Sequence, residues 1–85
     1  MLIKALDLGL EVKEALRAAI KKRLIQELHT LPLASETSKV MDCITGEFKT
    51  ELDALIINYY EQELGIEVDC KIEAEDYVKI YLNRI

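Results

Sequence analysis

Residues 66–85 read IEVDCKIEAEDYVKIYLNRI, and this stretch decides the fold that the sequence predicts. Its apolar side chains alternate with polar ones, first at Ile66, Val68, Cys70 and Ile72 and then at Val78, Ile80 and Leu82. A period of two residues is typical of a strand with one buried face, whereas a helix repeats its apolar face every three or four residues. The segment is therefore predicted to form two strands.

A three-residue turn over residues 74–76 would join these strands as an antiparallel hairpin. Pairing Glu73 with Tyr77 places all the apolar side chains on one face, whereas a two-residue loop would mix the two faces. The opposite face is then either exposed or covered by the helices, which would leave its tyrosines half-buried. It would carry Glu67, Asp69, Lys71, Tyr77, Lys79 and Tyr81.

The chain before this stretch has the periodicity of helices. Apolar residues recur every four positions at Leu8, Val12, Leu16, Ile20, Leu24 and Leu28, which predicts one amphipathic helix. Asp7 is expected to cap its N-terminus. The helix should end near Thr30, because Pro32 disfavours helical geometry at the residue before it.

Residues 35–64 carry a second helical stripe, formed by Met41, Ile44, Phe48, Leu52, Leu55, Ile56 and Tyr59. Gly46 interrupts it, so the segment is either one helix or two with a break near Thr45 and Gly46. The break is favoured slightly, since Thr45 could cap the helix that follows. Gly65 suits the C-terminal end of the helix in either case.

The predicted fold is therefore α+β, as a single domain over residues 1–85. It has two main helices followed by a C-terminal antiparallel β-hairpin, with residues 2–6 as a candidate short N-terminal strand. A two-stranded sheet is marginally stable alone and leaves two open edges. A second copy pairing across an edge would enlarge the core, and we therefore expect a homodimer.

Composition places the chain among globular proteins, with 51% hydrophobic and 32% charged residues. No apolar run approaches the roughly 18 residues needed to cross a bilayer, and the N-terminus lacks the features of a signal peptide. These observations predict a cytoplasmic protein with no membrane partner. Cys43 and Cys70 lie in no Cys-x-x-Cys pattern and are expected to be free, buried thiols.

The sequence contains no recognisable catalytic or cofactor-binding motif. His29 is the only histidine and is expected near a helix end, and its spacing to Cys43 and Cys70 matches no metal-binding pattern. A glycine-rich phosphate loop and a nucleophile elbow are also missing from the sequence. The prediction is a protein that is not an enzyme and that needs no metal or other cofactor.

Charge is divided unevenly along the chain and defines two candidate surfaces. Residues 1–30 hold six basic and four acidic side chains, a balance of +2, and residues 31–85 hold five basic and twelve acidic ones, a balance of −7. The basic face of the first helix would consist of Lys13, Arg17, Lys21, Lys22 and Arg23. The densest acidic set is Glu61, Glu63, Glu67, Asp69, Glu73, Glu75 and Asp76.

These features favour a small protein–protein interaction module, in the role of a regulator or inhibitor of a larger protein. The predicted contact patch is the acidic, tyrosine-bearing outer face of the hairpin, formed by Glu67, Asp69, Tyr77, Lys79 and Tyr81, since exposed tyrosines suit protein interfaces. The alternative is a nucleic-acid-binding dimer that uses the basic face of the first helix. The overall charge of −5 disfavours that alternative.

Overall fold

A computed structural model of the chain describes residues 1–84. They form four helices and one two-stranded sheet. In chain order these are β1 (Leu2–Ile3), a 3-10 turn (Ala5–Asp7), α1 (Leu10–Leu28), α2 (Thr37–Cys43), α3 (Gly46–Leu64), β2 (Asp69–Cys70) and α4 (Ala74–Tyr81). The strands are parallel, with Leu2 opposite Asp69 and Ile3 opposite Cys70.

The predicted C-terminal antiparallel hairpin is wrong, and with it the predicted α+β architecture. Residues that were expected to form its turn and second strand form α4 instead. Only Asp69 and Cys70 of the expected first strand are extended in a sheet, and their partner is β1 at the other end of the chain. The molecule is thus mainly helical, with a very small parallel sheet.

The helical conformation of residues 74–81 has local causes. Tyr77, Val78 and Ile80 are buried, and a spacing of one and three residues fits one face of a helix as well as it fits part of a strand. Asp76 accepts the backbone N–H of Glu73 at 3.4 Å, a contact that satisfies one donor at the N-terminus. Acidic side chains in the first turn and a lysine in the last complement the helix dipole.

The first predicted helix is present, but its start differs from the prediction. α1 begins at Leu10 after Gly9, and Asp7 lies one turn earlier, where its carboxylate accepts the backbone N–H of Lys4 at 2.9 Å. The preceding 3-10 turn, Ala5–Asp7, therefore uses the side chain that was expected to cap α1. The predicted apolar stripe is confirmed, and its buried members within α1 are Val12, Leu16, Ile20 and Leu24.

The sequence left open whether residues 35–64 form one helix or two, and the structure has two, α2 and α3. The break between them lies near Gly46, as the sequence slightly favoured. Gly46 has a φ of 55°, a left-handed conformation that suits glycine. Thr45 occupies the N-cap position of α3, but its side chain makes no capping bond, and its hydroxyl lies 3.5 Å from the carbonyl oxygen of Asp42 instead. Gly65, at a φ of 64°, ends α3 as predicted.

α1 and α3 are antiparallel neighbours, because Glu11 contacts Tyr59 near one end of the pair and Arg23 contacts Phe48 near the other. α4 packs against α1 and closes the core together with α2. The largest fully buried side chains are those of Tyr77, Leu16, Ile20, Leu24, Ile44, Leu52, Ile56, Ile72 and Ile80. None of the helices within residues 1–84 is both long and apolar enough to span a bilayer.

Candidate functional site

The contact patch predicted around Tyr77 is not a surface of this fold. Tyr77 has an exposed fraction of 0%, and its hydroxyl donates a hydrogen bond to the half-buried Asp53. Tyr81 is half-buried beside α1, whereas Lys79, Glu67 and Asp69 are exposed. The prediction failed here because it assigned Tyr77 to the outer face of a strand, and in α4 the same residue faces α3.

Around Asp53 the structure brings together a polar cluster that sequence reasoning missed. Asp53 Oδ1 accepts the Tyr77 hydroxyl and lies 3.6 Å from Cys70 Sγ. On its other side, Asp53 Oδ2 lies 3.0 Å from Lys49 Nζ. The cluster joins α3, β2 and α4. Its members are distant in sequence, and only the Lys49–Asp53 spacing of four residues was a local signal.

A thiol beside a carboxylate can in principle act as a nucleophile with its base, but this thiol is not activated. Burial raises the pKa of the Cys70 thiol, and the hydrogen-bond contact with the Tyr77 hydroxyl opposes that effect only in part. Burial, and next the hydrogen bond to Asp53, raise the pKa of the Tyr77 hydroxyl far above its usual value. The reactive form of cysteine is the thiolate, and a raised pKa keeps Cys70 in the thiol form. The cluster is therefore suited to stabilising the fold.

The cluster should make the protein less stable at alkaline pH. An unfolded tyrosine has a pKa of about 10, and burial raises the pKa of Tyr77 above that value in the folded protein. Its contribution is therefore complete below about pH 10 and is lost above it, by up to about 1.4 kcal/mol per pH unit. Urea unfolding between pH 7 and 11 should show this loss as a fall in the free energy of unfolding with pH. Tyr77→Phe should make that fall less steep. An equally steep fall in the two proteins would show that Tyr77 is not its cause.

The predicted basic face of α1 is partly consumed by contacts within the chain. Arg17 donates to the carbonyl oxygen of Ile80 at 2.8 Å and to Asn83 Oδ1 at 2.7 Å, so it caps the C-terminus of α4. Arg23 Nε lies 3.1 Å from Glu27 Oε1, an ion pair without hydrogen-bond geometry, and its guanidinium lies over Phe48.

The three lysines of this face differ in exposure. Lys21 and Lys22 are exposed, whereas Lys13 is half-buried. Both arginines are half-buried as well. The face therefore presents mainly two lysines, and its arginines contribute to the fold.

Replacing Arg17 with alanine should consequently reduce stability rather than simply remove a surface charge. We expect the free energy of unfolding to fall by about 1–3 kcal/mol, because the last carbonyl groups of α4 lose their donor. Lys21→Ala, on the same face of α1, serves as the matched control and should change it by less than about 0.5 kcal/mol. Thermal or urea unfolding measures both, and equal effects would show that the Arg17 contacts contribute nothing.

Two shallow grooves flank the outer face of α1. One, of about 390 Å³, lies between α1 and Tyr81, and the other, of about 330 Å³, lies between α1 and Phe48. Small-molecule sites usually bury most of the ligand and contain a few convergent polar groups. Both grooves are open to solvent and have charged side chains along their rims. They offer little enclosure for a small ligand.

A more distinctive surface lies at the end of the molecule where α1 begins and α3 ends. Leu6 is 85% exposed, Leu10 70%, Leu64 53%, Leu2 45% and Ile66 38%. We call these five residues the apolar end. Three backbone or side-chain contacts hold their segments together: Tyr60 Oη to Asp7 O at 3.4 Å, Ile66 N to Tyr60 O at 3.1 Å, and Asp69 N to Met1 O at 2.8 Å.

Leu64 shows why this end is incompletely covered. It continues the four-residue stripe of α3, whose earlier members Phe48, Leu52, Ile56 and Tyr60 are buried. Tyr60 already reaches the turn before α1, and one further helical turn carries the stripe about 5 Å past that point. Leu64 thus belongs to the core-facing side of its helix but has little of this chain packed on it.

The surroundings of the apolar end are acidic. Residues 1–11 and 61–71 contain six carboxylates and two lysines, which gives a net charge of −4 out of −5 for the whole chain. Glu61, Glu63, Glu67 and Asp69 are exposed. Two of the residues predicted to bind a partner, Glu67 and Asp69, therefore lie beside exposed apolar side chains.

The residues considered for metal or redox chemistry are not clustered in the described part of the chain. His29 is exposed at the end of α1 in a left-handed conformation, with a φ of 61°. Cys43 and Cys70 are free and half-buried, and no three histidine, cysteine or carboxylate side chains within residues 1–84 are placed to hold a metal ion. In comparisons with known proteins, no family model, curated protein or solved structure matches this chain.

Proposed function

We propose that this protein is a non-enzymatic interaction module that binds another protein through its apolar end and the acidic residues around it. The observation that carries the proposal is the exposure of five large apolar side chains on adjoining segments of a chain of only 85 residues. Exposed apolar surface with a polar rim is typical of protein interaction sites. A role as a regulator or inhibitor of a larger protein in the cytoplasm is proposed with it.

The proposed surface keeps part of the predicted patch and replaces the rest. Glu67 and Asp69 remain, as acidic residues at the rim. Leu6 and Leu64, rather than Tyr77, are the proposed apolar anchors. Tyr77 has no exposed surface and could contact a partner only if α4 unfolded.

The proposal is tested by partner capture with matched variants. The double variant Leu6→Gln/Leu64→Gln removes apolar surface without changing charge, and Ile25→Gln/Leu33→Gln does the same at the opposite end, where Ile25 is 46% and Leu33 68% exposed. Each tagged protein is recovered from its native lysate and the eluates are compared by quantitative mass spectrometry. We expect the first variant to lose a nuclease-resistant partner at least about tenfold relative to the second. Equal recovery from both would refute the proposal.

Nucleic-acid binding stays an untested prediction that the geometry supports less well. Arg17→Glu would disturb the end of α4, so the cleaner test is charge reversal at the exposed Lys21 and Lys22. If the basic face binds phosphates, this double variant should weaken binding and reduce its salt dependence. Partners that disappear on nuclease treatment would favour this alternative.

The expected homodimer also stays a prediction. Its original reason was an edge of the C-terminal hairpin, and that hairpin is not formed. The remaining sheet has two residues in each strand, which offers few backbone groups for pairing with a second copy. Any dimer would therefore have to form mainly through side chains.

A further inference from the structure

We infer that the partner of the apolar end is an amphipathic helix with lysine or arginine on its polar face, an inference that rests on the proposed function. The exposed apolar groups come from β1, the turn before α1, the start of α1 and the end of α3. A partner that contacts several of these groups at once needs apolar side chains spaced along one of its own faces. A helix supplies such a row at positions i, i+3, i+4 and i+7.

An added β-strand fits this end less well than a helix. The sheet extends over two residues per strand, and the carbonyl groups of Met1 and Ile3 face β2, so the outer edge offers few backbone groups. Met1 O accepts the N–H of Asp69 at 2.8 Å, and Ile3 O accepts that of Lys71 at 3.3 Å. Because strand addition gains its affinity from backbone hydrogen bonds, a longer free edge would be needed.

The charge of the surroundings selects a basic polar face. Six carboxylates and two lysines lie in residues 1–11 and 61–71, giving a local charge of −4. A helix with lysine or arginine beside its apolar row would be attracted, whereas one with glutamate would be repelled. Nucleic acid would be repelled for the same reason.

A second copy of this chain is a less suitable occupant. The exposed basic residues of α1, Lys21 and Lys22, lie in the second half of that helix, and a helix of 19 residues is about 28 Å long. Using them to meet the acidic end would join copies head to tail. Contacts of that kind form open chains unless the rotation closes a ring.

The inference is tested with two synthetic helices of about 18 residues that share one leucine row. One carries lysine at the remaining positions and the other carries glutamate. Their dissociation constants for the full chain are measured by fluorescence anisotropy at 0.15 M salt, together with those of three variants. The variants are Leu6→Gln/Leu64→Gln, its control Ile25→Gln/Leu33→Gln, and the charge reversal Glu61→Lys/Glu63→Lys.

We expect the lysine helix to bind the unmodified protein at least about tenfold more tightly than the glutamate helix. Leu6→Gln/Leu64→Gln should weaken the binding of the lysine helix at least about fivefold, and the control variant should leave it unchanged. Glu61→Lys/Glu63→Lys should weaken the binding of the lysine helix and strengthen the binding of the glutamate helix. Equal affinity for the two helices, or equal effects of the two leucine variants, would overturn the inference.

The test separates this inference from the proposed function. If neither helix binds but Leu6→Gln/Leu64→Gln still abolishes capture of the native partner, the inference is wrong and the interaction surface stands. If sedimentation shows that this variant converts a dimer to a monomer without affecting helix binding, the occupant is a second copy and the inference is again wrong. If the variant changes neither capture nor helix binding, both proposals fail.

Discussion

Tyr77→Ala is expected to lower the free energy of unfolding by about 3–5 kcal/mol, the usual cost of removing a large buried ring. Tyr77 has no exposed surface and lies among α3, β2 and α4, so the cavity cannot be filled by solvent-facing side chains. Total stability for a domain of this kind is about 5–15 kcal/mol, so the variant should lose a large fraction of it. Urea unfolding followed by far-UV circular dichroism measures the change.

Two further variants give this experiment its controls. Tyr77→Phe keeps the ring and removes only the hydroxyl, and it should cost about 1–2 kcal/mol through the lost hydrogen bond to Asp53. Tyr81→Ala removes a half-buried ring on the same helix and should cost clearly less than Tyr77→Ala. In a hairpin with Tyr77 and Tyr81 on one exposed face, the two alanine variants would have small and similar effects.

The second large effect is expected at Asp53. Asp53→Ala removes the acceptor of the buried Tyr77 hydroxyl and of the Cys70 thiol, and it also removes the carboxylate beside Lys49. A buried polar group left without a partner costs about 1–3 kcal/mol, so with these three contacts we expect a loss of about 2–3 kcal/mol in the free energy of unfolding. Chemical denaturation at pH 7 measures it.

Lys49→Ala is the matched control for Asp53→Ala. The Lys49 and Asp53 side chains are 31% and 22% exposed, so their ion pair is partly screened and should contribute at most about 1 kcal/mol. In the double variant Asp53→Ala/Tyr77→Phe the two losses should not add, because both remove the same hydrogen bond. Strictly additive losses would show that the pair is not coupled.

Local sequence signals predicted much of the helical structure. The four-residue stripe of α1, the break before α3 and the left-handed glycine that ends α3 all depend on neighbouring residues. The candidate strand at the N-terminus is also present, although only Leu2 and Ile3 are extended. The helical features could be predicted because each is determined within one or two helical turns, whereas β1 depends on its pairing with β2.

The C-terminal segment was mispredicted because its pattern satisfies two periods. Val78, Ile80 and Leu82 alternate as in a strand, yet Val78 and Leu82 are also one helical turn apart, as are Tyr77 and Tyr81. If Tyr77 is taken as a polar residue, the alternating pattern of a strand fits the segment better than the pattern of a helix. The acidic first turn and the Glu73–Asp76 spacing were signals for a helix start that carried too little weight.

The candidate site was only partly predictable. Acidic composition indicated Glu67 and Asp69, but the exposure of Leu64 depends on how far α3 extends past the start of α1. The stripe of α3 alone predicts that Leu64 is buried. Asp53 and Tyr77 are likewise 24 positions apart and are joined only by the tertiary fold.

The most direct test of the apolar end as the contact surface is hydrogen–deuterium exchange on the protein alone and in its purified complex with the captured partner. If this end is the interface, the partner should slow exchange in residues 1–11 and 61–71 and leave residues 21–33, at the far end of α1, unchanged. Protection confined to residues 21–33, with none at the apolar end, would contradict the proposed function.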